Sequence, residues 1–142
     1  MFNLVRRDGA RENSGHFEAL AHDGTSTYLV GQVVTREGGV AKHVGGATNN
    51  KKPYGIVARD EDKSGKEVMV LRITDEMEFE APITGTNIAK VVAGFAVAIN
   101  TTDYGSVASA ATSLGTDYIG AEVIDTLGAK AAGDKVAVRF KV

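Results

Sequence analysis

Three histidines, His16, His22 and His43, are the side chains of this sequence best suited to proton transfer or metal ligation. Their spacing serves neither: no HExxH pattern and no pair one helical turn apart is present for zinc. Ser14 stands two residues before His16, but no GxSxG elbow accompanies it to present the hydroxyl as a nucleophile. Asp60 and Asp62 have the alternate spacing of a calcium loop. Arg59 and Lys63 sit among them, however, and the distal bidentate glutamate such a loop needs is missing. The run RDEDKSGK therefore reads as a solvated hairpin loop. Glu78 and Glu80 place two carboxylates on one strand face, whereas a glycosidase pair faces itself across a cleft. They read as a solvent-facing ridge and as candidate interface residues. Gly38-Gly39 and Gly45-Gly46 match neither phosphate-binding glycine motif. The expectation is a non-enzymatic protein with no catalytic residues, no cofactor and no metal.

The bulk numbers agree with that reading. The 142 residues are enough for one domain with a real core, and 43% hydrophobic with 24% charged residues is ordinary for a globular chain. With no cysteine, disulfides, thiolate metal sites and cysteine nucleophiles are excluded. A net charge of −2 argues against a protein that neutralises phosphates, and the absence of Trp leaves little for stacking on bases or sugars. No nucleic-acid partner is expected. MFNLVRRDGAREN lacks the apolar core of a signal peptide, and the run Val91 to Ile99 is half a bilayer span. The expected setting is a cytoplasm, in which the protein is kept or assembled into something larger, without membrane contact.

What, then, do the elements position? From Gly94 onward the chain reads GFAVAIN, GSVASAA, YIGAEVID and GDKVAVRFKV: short apolar or alternating runs fenced by turn residues, the pattern of consecutive β-strands. The same order occurs earlier in GQVV, GVAKHV, YGIVARD and GKEVMVLRI. Gly31 and Gly94, Gly55 and Gly120, and Arg72 and Arg139 lie 63, 65 and 67 residues apart, a drift that small loop insertions explain. The spacing predicts two copies of a four-strand unit, about 28–73 and about 94–142, within a single all-β domain over 15–142. That domain is expected to be one β-barrel or one β-sandwich. Between the copies, Thr84 to Ala93 is expected to form one short helix, with Thr86 as N-cap and Gly94 as stop. Pro82 is expected to end the MEFEA strand.

Residues 1–14 read as an extended N-terminal arm. Phe2, Leu4 and Val5 are apolar and Arg6, Arg7 and Arg11 basic, with no periodic pattern past Val5. Such a segment suits either a frayed terminus or a tether that adds a strand to a partner's edge or lays Phe2 and Leu4 in a groove, its arginines meeting carboxylates. In HFEALA, Phe17, Ala19 and, less cleanly, Ala21 alternate on one face, the pattern of a short strand.

The ordered phrases GQVV, GGVAKHV, KKPYGIVA, GKEVMVL, EMEFEAP, AGFAVAIN, GSVAS, YIGAEVID and AAGDKVAVRFKV resemble the bacteriophage capsid decoration, or cement, proteins. The resemblance covers about residues 28–142 and rests on turn-and-strand signatures. It implies a compact virion protein on the exterior of an icosahedral head, bridging major capsid protein subunits and associating with itself. Residues 1 to about 27 depart from the family's plainest members, which makes the arm a candidate for attachment. Two other readings fit the strands: a different virion module, such as a head-fibre base or tail-tube subunit, and a barrel that binds a small ligand or carbohydrate.

Overall fold

The computed structural model describes residues 1–7, 17–44, 52–85, 91–108 and 120–140. Among them there is no helix and there are eleven strands: β1 (Asn3–Arg7), β2 (Phe17–Ala21), β3 (Val33–Glu37), β4 (Val40–His43), β5 (Gly55–Val57), β6 (Glu67–Arg72), β7 (Met77–Thr84), β8 (Ala96–Ile99), β9 (Val107–Ala108), β10 (Gly120–Asp125) and β11 (Lys135–Arg139). The all-β expectation holds. The single barrel or sandwich does not. Strands β2–β6 close into one barrel in the order β2-β4-β3-β5-β6. Strands β7–β11 run β7-β11-β10-β8-β9, and a β7–β9 pairing closes that ring as well. β1 hangs on β7 outside the second ring.

The two rings share one topology. In each, the first and third strands pair in parallel, at Ala21↔Val40 and at Ile83↔Val107, while every other contact is antiparallel. The repeating unit thus has five strands rather than four, because β2 and β7 open the two copies. Register and facing match Leu20 with Ala81, Val34 with Val97, Ala41 with Val107, Val57 with Val123 and Val70 with Val138. Gly31 and Gly94 are equivalent in detail. Their φ angles are 88° and 87°, and their amides donate to Val57 O at 2.9 Å and Val123 O at 2.7 Å. That left-handed conformation is why glycine stands at both turns.

The other two sequence pairings are each one residue out of phase. The residue opposite Val97 is Ala121, as Gly55 is opposite Val34, so Gly120 is not the partner of Gly55. The counterpart of Arg139 is Leu71, not Arg72. In β2 the face shared by Phe17, Ala19 and Ala21 is the exposed one, and Leu20 is the residue buried. The expected helix over Thr84–Ala93 falls partly on residues 86–90, outside the described residues. Of its described flanks, Thr84 ends β7 and Val91–Ala93 are not helical.

Pro82 does not end β7. Since Ile83 N donates to Asp134 O at 2.9 Å on the β11 side, the proline's missing N–H belongs to the opposite edge. There it falls between the Asn3↔Glu80 and Ile83↔Val107 pairs, where no described ladder bond is lost.

Barrel one is filled by a small cluster that includes Leu20, Tyr28, Val34, Val57 and Val70. A larger cluster fills barrel two and continues through Val33, Ile56, Leu71 and Ile73 on the outside of barrel one. Strand β6 is therefore covered on both faces, as its nearly continuous apolar sequence predicts.

Candidate interaction surface

The residues expected in the arm do not dangle. β1 pairs antiparallel with β7, placing Asn3 opposite Glu80, Leu4 opposite Phe79, Arg6 opposite Glu78 and Arg7 opposite Met77. Phe2 is only 4% exposed and its ring lies 5.1 Å from that of Phe140, inside the shared core. Leu4 packs against the same cluster. The register slips between Leu4 and Arg6, which leaves Val5 out of the pairing and exposed. Such a bulge twists an edge strand away from further pairing. Arg11 lies outside the described residues. The expected arm is, over residues 3–7, a strand of the fold.

Glu78 accepts a hydrogen bond from Arg139 Nη2 at 3.0 Å, across from β1. Glu80 borders an open depression of about 530 Å³ with Leu127, Asp134 and Lys135. Phe2, Leu4, Glu78 and Glu80 are thus brought onto one strand pair, the apolar side chains inward and the carboxylates outward.

The sequence reading missed a second locus, the joint between the barrels. Val33, Ile56 and Leu71 form one cross-strand row on barrel one that is buried against barrel two. The loop Asn100–Ser106 meets barrel one beside this row. Val33 N donates to Tyr104 O at 2.8 Å, Gln32 Nε2 donates to Asp103 O at 3.0 Å, and the rings of His43 and Tyr104 stack at 4.1 Å. Tyr104 adopts φ 57°, a costly conformation for a residue with a side chain, and the Asp103 carboxylate holds the turn by accepting from the amides of Gly105 and Ser106. From the other side, Phe2 N donates to Gly31 O at 3.0 Å. Met1 covers Gly31 and Gly105 so closely that a Cβ on either would collide with it.

One sequence signal did point here. Copy one joins its second and third strands by the tight turn Gly38-Gly39, whereas copy two uses the longer Asn100–Ser106 loop. The growing offset between the copies records that insertion.

Behind the joint lies a polar cluster inside barrel one. The Tyr28 hydroxyl donates to Ala41 O at 2.7 Å, and burial, with the Asp23 carboxylate beside it, raises its pKa. Burial opposes ionisation of Asp23. The Ser26 hydroxyl and the amides of Thr25 and Ser26 outweigh it, holding that carboxyl well below the usual range. His43 Nε2 sits 3.1 Å from Gln32 Oε1, which also accepts from Leu29 N at 2.9 Å. An amide oxygen cannot donate, so Nε2 carries the proton. Burial lowers the His43 pKa from 6.5, with the charge of Asp23 opposing the shift. His22 Nδ1 accepts from Gly24 N at 2.8 Å.

Asp60 and Asp62 serve the loop structure, accepting from Val30 N and from Ser64 N, each at 2.8 Å. Among the described residues, no three His, Asp or Glu side chains are grouped to hold a metal. No protein-family model, curated protein or solved structure matches the chain.

Proposed function

We propose that this chain is a non-enzymatic structural protein of a phage virion, one that binds the outside of an icosahedral head and bridges neighbouring major capsid subunits. The observation that carries the reading is the doubled barrel: two rings of one topology held as one body by a continuous apolar core and by the N-terminal strand. A bridging protein needs stiffness between its contact points, because a flexible link would lose in ordering entropy what the contacts gain. The resemblance of the strand-and-turn phrases to decoration proteins supports the same reading. A protein of this kind stabilises whichever state of the shell it binds better, through differential affinity alone.

The test is to mix purified protein with expanded and with unexpanded phage heads and to measure co-sedimentation. Saturable binding to the expanded heads is expected. Absence of binding to both ends the proposal.

A further inference from the structure

The seat of β1 is an acceptor site for an extended strand, and we infer that the strand filling it can come from a second copy of this chain. Barrel two is already closed by the β7–β9 pairing at Ile83 and Thr84, so β1 completes no ring. What it does fill is the edge of β7 from Met77 to Glu80, together with the cavity beside Phe140 and Phe79 that receives the Phe2 ring. Left empty, that seat would expose an unpaired strand edge and apolar core, so it requires an occupant of the pattern Phe2-x-Leu4. Every chain carries one such occupant. The donor is also joined to the wrong barrel for a tight local contact: β1 lies on barrel two, but the next described strand, β2, belongs to barrel one. Nine residues, 8–16, separate the two strands in the sequence.

Exchange of β1 between two chains would keep the β1–β7 ladder, the Phe2 seat and the Phe2–Gly31 bond, changing only which chain supplies them. Exchange of an identical element is a low-cost route to self-association. The site offers a route to the self-association that the resemblance implies without depending on capsid binding, because it rests on the β1 seat alone.

The chain has no cysteine, which makes the test direct. Asn3→Cys with Glu80→Cys puts two thiols on facing residues of β1 and β7. The double variant is oxidised over a range of protein concentrations, then resolved on a non-reducing gel with mass mapping of the 3–80 crosslink. Exchange predicts covalent dimers through that crosslink, increasing with concentration at which the protein was refolded, while Asn3→Cys alone gives few. An exclusively intramolecular 3–80 disulfide at every concentration overturns the inference, as does equal dimer formation by the single variant. Head binding is assayed separately on the unmodified chain, so failure of either idea leaves the other standing.

Discussion

His43 joins the stability of barrel one to the contact between barrels, since its ring stacks on Tyr104 and its Nε2 faces Gln32 Oε1. Its folded pKa lies below the unfolded 6.5 because burial disfavours the cation, with the Asp23 charge only opposing. In the window between those two values the unfolded chain binds more protons than the folded one, so stability rises with pH there. The contribution is fully present above 6.5 and is lost as pH falls through the folded pKa. Urea midpoints of the wild type at pH 7.5 and about pH 5 should therefore differ more than those of His43→Phe; equal differences would remove His43 as a cause. At this scale the sequence was partly legible. Gly31 and Gly94 could be matched because a turn at φ near 88° admits little else. Arg72 and Arg139 looked equivalent by type, yet one lies over the Tyr54 ring and the other bonds Glu78, in different phases of their strands. A bulge between Val123 and Asp125, opposite Val138 and Ala137, adds to the offset between the copies.

Among the elements, β1 and β2 departed most from expectation, and for one reason. Each is short, and what decides its face is the surface it meets rather than its own pattern. Phe17-Glu18-Ala19 and Phe79-Glu80-Ala81 share a triplet, but Phe79 points into barrel two while Phe17 is exposed, because register aligns Phe79 with Glu18. For β1, three apolar residues give no period, and only the tertiary seat makes it a strand. Truncating Phe2 tests that seat. Phe2→Ala should destabilise the free protein by about 3–5 kcal/mol, the range for a buried phenylalanine, as read by chemical denaturation. A change within error of zero would return residues 1–7 to the status of a loose tether.

At the scale of the whole molecule, the two barrels share a topology but differ in their outer rows. The row Val33–Ile56–Leu71 that docks barrel one has as its counterpart Ala96–Glu122–Arg139 on barrel two. Two positions of that apolar row are charged in the other copy, where Ala96 stays apolar and buried and Arg139 bonds Glu78. The docking loop Asn100–Ser106 is likewise long only in copy two. Both changes favour one barrel–barrel contact and oppose a chain of them. Ile56→Glu gives barrel one the residue that barrel two carries at Glu122. It should undock the barrels, splitting a single cooperative unfolding transition into two while the sheet content of the native state persists. A single transition with an unchanged midpoint would show that the row does not couple them. The charges at Glu122 and Arg139 were not readable from a repeat search, which scores what the copies share; the longer loop left its trace only in the growing offset between them.

The seat of β1 has a consequence for synthesis on the ribosome. Barrel one can close once Arg72 has emerged, whereas β1 must wait for β7, which is made only after all of barrel one. During that interval β1 stays undocked beside barrel one. On a polysome the nascent neighbour nearest to completion offers a vacant edge at the same moment, so translation itself sets up the competition between cis and trans seating.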